Sequence, residues 1–97
     1  MEKRVQLIKQ YGMTSRNWTS PSNETVIIKS VELEMTDGVD TFVAEANDKL
    51  AEQLNAQPLM EGCYLGIQAQ IKVRRWNNKD GVEMRSNTIK ITSLNQV

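Results

Sequence analysis

The sequence of 97 residues has no histidine, one cysteine, two prolines and five aromatic residues. Without histidine, the chain lacks the commonest general base and the commonest metal ligand of proteins. Its single cysteine, Cys63, can form neither an internal disulfide nor a multi-thiolate zinc site. Because Cys63 lies in an apolar alternation, we predict a small buried side chain there. We therefore predict a protein that is not an enzyme and that has no metal and no cofactor.

The sequence also has no excess charge of either sign, since twelve lysines and arginines balance twelve aspartates and glutamates. A strongly basic chain is the plainest sign of nucleic-acid binding, and that sign is missing. The charges are unevenly placed, however. Residues 62–97 contain six cations and two carboxylates, a net charge of +4, whereas residues 30–47 contain five carboxylates and no cation. Any contact with phosphates would be local, so we expect it to be modest and easily reversed by salt.

Long hydrophobic runs are absent too. Near the N-terminus only Val5, Leu7 and Ile8 are strongly apolar, which is too short a stretch for a signal peptide or a membrane span. The composition, 39% hydrophobic and 25% charged, is typical of a folded soluble chain. We predict one domain over residues 1–97 and a cytoplasmic location.

Alternating apolar and polar residues predict five strands. They cover residues 4–9, 25–35, 39–46, 63–75 and 82–94. Asp37 and Gly38 predict a tight turn after the second strand. Residues 10–23 are polar and are interpreted as a long loop that carries Tyr11 and Trp18.

The hydrophobic period changes from two to about four after residue 46. Asn47 is the expected N-cap of a short helix, Leu50 and Leu54 share one of its faces, and Pro58 bounds it. The order β-β-β-α-β-β is that of the OB-fold, an all-β five-stranded Greek-key barrel with one short helix. A generic α+β meander has the same order and remains an alternative. The long fourth strand favours the barrel, because it can bend around one.

The fourth strand carries the strongest candidate site. Strict alternation places six of its side chains on one solvated face: Tyr64, Gln68, Gln70, Lys72, Arg74 and Trp76. Aromatic rings stack on bases and cations meet phosphates, so this mixture indicates single-stranded nucleic acid. We predict phosphate contacts from Lys72, Arg74, Arg75, Lys79 and Arg85. We predict base stacking by Tyr64, Trp76 and Trp18.

Each of these signals also has a purely structural interpretation. Alternating polar residues occur on any half-exposed strand, Trp76 could cover the barrel mouth, and Trp18 could plug the barrel. Glu32 and Glu34 share a strand face and, with Asp37 and Asp40, could hold a hard cation, although a solvated acidic strand is the simpler explanation. That acidic face gives the alternative function, an OB-fold module that binds a protein and no nucleic acid.

Three segments resemble the bacterial single-stranded-DNA-binding proteins. They are residues 47–52 (NDKLAE), 60–68 (MEGCYLGIQ) and 73–82 (VRRWNNKDGV). In that family a lysine–leucine–alanine helix precedes a glycine-containing strand, which ends in a basic-basic-tryptophan step before a hairpin. Order and spacing agree over residues 41–94. The resemblance implies an OB-fold that binds single-stranded DNA in replication, repair or recombination, as a homo-oligomer of two or four subunits.

The resemblance has two departures. Family members have stacking aromatic residues near the start of the third strand and just before the helix, where this sequence has Thr41 and Asn47, with Phe42 one residue away. The acidic tail of the family does not follow the last strand. The resemblance therefore implies a compact relative, similar to a primosomal OB protein or to a mobile-element accessory protein.

Overall fold

The computed structural model describes residues 2–97, apart from the side chain of Arg74. Within that range the chain forms six strands and one helix. They are β1 (Glu2–Gln10), β2 (Thr14–Thr19), β3 (Thr25–Thr36), β4 (Thr41–Asn47), α1 (Asp48–Ala56), β5 (Tyr64–Asn77) and β6 (Glu83–Gln96). No helix in this part of the chain is long and apolar enough to cross a membrane.

Five of these strands close into a barrel in the order β1-β5-β6-β4-β3. Closure depends on β1, because its residues 2–6 pair with β5 and its residues 6–10 pair with β3. The neighbours are antiparallel except β4 and β6, which are parallel and pair at Ala44–Ile89 and Glu45–Lys90. The predicted all-β Greek-key barrel with one short helix is confirmed, and the α+β meander is wrong.

The core fills the barrel, and α1 covers one end of it. In the described residues the buried side chains are all apolar, among them Leu33, Leu65 and Ile67. Ala51 and Leu54 of α1 are buried against this core, and Cys63 packs half-buried at its edge. Asn47 occupies the N-cap position, as predicted. Among the residues described, however, its side chain does not cap the helix, because its Oδ1 accepts a hydrogen bond from Ser30 Oγ at 2.8 Å.

The predicted loop over residues 10–23 is wrong, because it contains β2. This strand pairs antiparallel with the first half of β3, from Thr14–Ser30 to Thr19–Thr25. All six residues of β2 are exposed, so the strand lacks the burial pattern that makes a strand visible in a sequence. Since β4 pairs with β3 only from Ser30 onward, the β2–β3 hairpin extends past the C-terminal end of β4.

The β5–β6 hairpin also extends beyond the barrel. The predicted alternation holds from Leu65 to Ala69, but Ile71 and Val73 are 58% and 55% exposed, so their predicted inward position is wrong. The cause is that β1 stops pairing at Gln68 and β4 pairs with β6 only from Ile89. Residues 70–88 therefore form a two-stranded ribbon, called here the hairpin ribbon, and Ile89 and Lys90 lie at its base, where β6 pairs with both β4 and β5. Because β6 runs parallel to β4, this ribbon projects toward the N-terminal end of β4, away from the β2–β3 hairpin.

A β-bulge in β6 lies where the hairpin ribbon leaves the barrel. Gln68 pairs with Ser93 and Ala69 with Ile91, so Thr92 is the extra residue, and its Oγ1 donates to the Gln68 carbonyl at 3.1 Å. A bulge reverses the alternation along its strand. Ile91 and Leu94 can therefore both pack on the core, although they lie three residues apart.

Asp37 fastens the β3–β4 turn to β1. Its Oδ1 accepts hydrogen bonds from the N–H groups of Val39 and Asp40, at 2.9 and 2.8 Å. Its Oδ2 accepts one from Lys3 Nζ at 2.6 Å. The backbone hydrogen bond from Asp40, followed by the contact with Lys3, holds the pKa of Asp37 well below its ordinary value of 3.8.

We expect Asp37→Asn to lower the Tm at neutral pH. A carboxylate with a lowered pKa stabilises the fold above its ordinary pKa and loses this effect as the pH falls below it. The Tm difference from the original chain should therefore shrink below about pH 4. Asp40→Asn is the matched control, since it removes the same charge but keeps the backbone donor. Equal and pH-independent Tm shifts in the two variants would contradict this role of Asp37.

Candidate nucleic-acid interface

The register of the hairpin ribbon sorts its side chains onto two faces, because residues directly opposite each other in a ladder share a face. The outer face continues the outside of the barrel. Its pairs are Gln70–Lys90, Lys72–Thr88, Arg74–Ser86 and Trp76–Met84. The inner face continues the inside of the barrel. Its pairs are Ile71–Ile89, Val73–Asn87, Arg75–Arg85 and Asn77–Glu83.

The outer face brings together an exposed ring and two cations. Trp76 is exposed beside Met84, and Lys72 is exposed two pairs closer to the barrel. Lys90, half-buried on the same face, was expected only as a possible extension of the predicted phosphate contacts. Among residues 2–97 neither lysine makes an ion pair, since the two ion pairs found there are Lys3–Asp37 and Lys29–Glu52. Arg74 belongs to this face by register, but its side chain lies outside the described part of the structure.

Arg75 and Arg85 lie on the inner face, so they do not join Lys72 and Trp76 in one patch. They are directly opposite each other, an arrangement that is unfavourable for like charges and that a bound anion would relieve. Lys79 lies in the connecting turn, where Asn78 Oδ1 accepts the N–H groups of Asp80 and Val82 at 2.9 and 3.0 Å. From the turn, Lys79 is accessible to a ligand on either face.

The two remaining predicted rings lie away from the hairpin ribbon. Trp18 is exposed on β2 opposite Val26, so it does not plug the barrel. Tyr64 is exposed at the start of β5, twelve residues before Trp76, which corresponds to about 40 Å along a strand. Its cross-strand partner is Gln6 of β1, and Arg4 follows on the same face. Arg4 was not predicted, and its only sequence signal is its alternation with Val5.

Three solved structures, from Methanococcus maripaludis, S. cerevisiae and Streptomyces coelicolor, have a fold similar to that of this chain. The second OB-fold domain of replication protein A from Methanococcus maripaludis aligns with a TM-score of 0.64 at 9% identity, covering 99% of this chain and 81% of that one. The chain adopts the OB-fold. A mitochondrial single-stranded-DNA-binding protein from S. cerevisiae aligns with the OB-fold of this chain at a TM-score of 0.55 and 11% identity, covering 100% and 92% of the two chains.

A third OB-fold structure, a small single-stranded-DNA-binding protein from Streptomyces coelicolor, aligns at a TM-score of 0.50 and 19% identity, covering 100% and 94% of the two chains. At these identities the likeness shows the fold alone. No protein-family model matches the sequence, and no curated protein matches it.

The strand face that OB-folds commonly use for oligonucleotides is acidic in this chain. In OB-folds this face is formed by the second and third barrel strands, here β3 and β4. Glu32 lies directly opposite Glu45 there, and Glu34 lies opposite Val43. The Tyr11 hydroxyl donates to Glu34 Oε2 at 3.1 Å, which raises the pKa of Tyr11. These carboxylates would repel phosphates, so the face does not suit a nucleic-acid backbone.

On the described residues of β3 and β4 themselves, this face carries no exposed aromatic ring, and the neighbouring Tyr11 is bonded to Glu34. Phe42 is half-buried and packs on the core, while Thr41 is exposed at the start of β4. Asp37 forms an ion pair with Lys3 and therefore does not join Glu32 and Glu34 in a cation site. Within the part of the chain that the structure describes, no group of three or more potential ligands could hold a metal ion. The hairpin ribbon is therefore the best candidate for contact with nucleic acid.

Proposed function

We propose that the chain binds single-stranded DNA through the outer face of the hairpin ribbon, with little sequence preference. Trp76 stacks on a base, Lys72 and Lys90 contact phosphates, and Lys79 adds a cation at the turn. The observation that carries this proposal is the register of β5 and β6, which places the exposed Trp76 and Lys72 on one projecting face, with the half-buried Lys90 at the base of that face. Stacking on a ring tolerates every base, because every base has a π-face.

Two further observations support this function. Two of the aligned structures are named as single-stranded-DNA-binding proteins, and a third is a domain of replication protein A. The basic-basic-tryptophan step at residues 74–76, on which the family resemblance depends, lies in the exposed ribbon. Fold and sequence thus favour the same class of ligand.

We expect the affinity for labelled oligo(dT), measured by fluorescence anisotropy, to fall steeply with salt. For a single strand, the slope of log K against log salt is about −0.7 for each phosphate neutralised. Contacts from Lys72, Lys79 and Lys90 would give a slope of about −2, and additional contacts from Arg75 and Arg85 would make it about −3.5. A salt-independent affinity would contradict phosphate contact.

Two double variants test which face is used. The outer-face variant combines Lys72→Gln with Lys90→Gln. The inner-face variant combines Arg75→Gln with Arg85→Gln, so each variant removes two cations from one face. The outer-face variant should lower the affinity more and reduce the slope by about 1.4. A larger loss in the inner-face variant would place the strand against Arg75 and Arg85 instead. Arg74→Gln, in the same assay, tests the predicted phosphate contact of Arg74.

The acidic face favours a second function, the binding of a basic protein segment. The specific observation is the direct opposition of Glu32 and Glu45, which a cation on a partner would relieve. If this were the main role, oligo(dT) at high micromolar concentration and low salt would leave both the anisotropy and the tryptophan fluorescence unchanged.

The preference for DNA over RNA stays a prediction, as do the homo-oligomer, the absence of catalysis and the cytoplasmic location. Comparison of oligo(dT) with oligo(U) in the same assay measures the preference for DNA over RNA. Sedimentation of the full chain measures its oligomeric state.

A further inference from the structure

A cavity of about 370 Å³ lies between β1, the start of β5 and the β3–β4 turn. Tyr64, Gln6 and Arg4 line one side of it, and Asp37 and Gly38 line the other. Pockets of about 300 Å³ or more accommodate small organic ligands. The cavity lies at the opposite end of β5 from Trp76, so it is separate from the outer face of the hairpin ribbon.

The register explains how the cavity is built. Gln6 is the direct cross-strand partner of Tyr64, so the amide and the ring stand side by side on the outer face. Arg4 lies two residues farther along the same face, opposite Gly66. Gln6 Nε2 donates to the Gly62 carbonyl at 3.1 Å, which holds this part of the wall in place.

The carboxylate of Asp37, which lines the cavity, is already engaged by partners of its own. Both oxygens of Asp37 are engaged, Oδ2 by Lys3 Nζ and Oδ1 by two backbone N–H groups. Arg4, in contrast, is exposed and makes no ion pair among residues 2–97. Of the two charged residues that line the cavity, Arg4 is thus the one without an ion pair in the described part of the chain, and it lies beside the exposed ring of Tyr64.

We propose that this cavity is a nucleotide subsite, in which the ring of Tyr64 stacks on a base and Arg4 binds the phosphate attached to it. A guanidinium can bind two phosphate oxygens at once, and an aromatic ring accepts any base. The ligand class is thus a nucleotide of any base. The inference rests on the proposed function in one respect, since the nucleotide would belong to a bound single strand long enough to reach both Trp76 and Tyr64.

The test uses thymidine 5′-monophosphate, which can occupy the cavity without reaching Trp76. In ¹⁵N-labelled full chain, millimolar nucleotide should shift the amide resonances of Gln6, Gly38 and Tyr64. Arg4→Gln and Tyr64→Leu should each weaken this binding about five-fold or more. Lys49→Gln is the matched control, because it removes one exposed cation on α1, and it should leave the affinity unchanged.

Three results would overturn the proposal. The first is the absence of shifts at the cavity amides, and the second is an equal effect of Arg4→Gln and Lys49→Gln. The third is inorganic phosphate binding as tightly as the nucleotide, which would leave a simple anion site without base stacking. The proposed function is judged separately, by the binding of long oligo(dT) to the original chain. It can fail while the cavity binds nucleotide, and it can hold while the cavity binds none.

Discussion

Ile67→Ala is expected to destabilise the barrel by about 2–5 kcal/mol, whereas Ile71→Ala should change the free energy of unfolding by less than about 0.5 kcal/mol. The two isoleucines lie four residues apart on β5 and on the same face. Ile67 is 1% exposed and belongs to the core, while Ile71 is 58% exposed on the hairpin ribbon. Truncation leaves a cavity only where neighbours surround the side chain. Urea denaturation of both variants measures the difference.

The protein concentration provides the control for this comparison. A monomeric ribbon predicts the same small effect of Ile71→Ala at every concentration. A large effect that depends on concentration would show that a second copy covers the inner face, because association stabilises the fold by mass action. A large effect at all concentrations would contradict the projecting ribbon itself.

Most barrel strands could be predicted because burial alternates along them. Val31, Leu33 and Met35 on β3 are fully buried with polar residues between them, and this period of two is visible in the sequence. β2 could not be predicted, since all its residues are exposed and its pairing depends on β3. On β5, in contrast, the alternation of apolar residues predicted burial at positions that are exposed. It continues through Ile71 and Val73, past the point where β1 and β4 stop covering the strands.

The candidate site was only partly predictable for the same reason. The shared face of Lys72 and Trp76 follows from the period of two, and so does the separation of Arg75 from them. The face of Arg85 depends on the register that the turn at residues 78–82 sets, which the sequence does not specify. The cavity at Arg4 and Tyr64 depends on pairing between β1 and β5, about sixty residues apart along the chain. Such long-range register is beyond local patterns.

Trp76→Ala is expected to weaken the binding of oligo(dT) by about 1–3 kcal/mol, or roughly five-fold to over a hundred-fold. The physical reason is the loss of the exposed ring on the outer face of the hairpin ribbon, beside Met84. Trp76 lies outside the core, so the free energy of unfolding should fall by much less than the roughly 3–5 kcal/mol typical of a buried tryptophan. Anisotropy with labelled oligo(dT) measures the first quantity, and urea denaturation measures the second.

Two further variants separate stacking from packing at Trp76. Trp76→Phe keeps a ring and should recover much of the affinity. Trp18→Ala removes the other exposed tryptophan, on the β2–β3 hairpin past the opposite end of β4, and leaves Trp76 as the single tryptophan reporter. Quenching of the remaining fluorescence by oligo(dT) would place a base on Trp76. An equal loss of affinity in Trp18→Ala would mean that the strand contacts both hairpins. Unchanged affinity with a large loss of stability in Trp76→Ala would make Trp76 a packing residue, and the proposed stacking contact would be wrong.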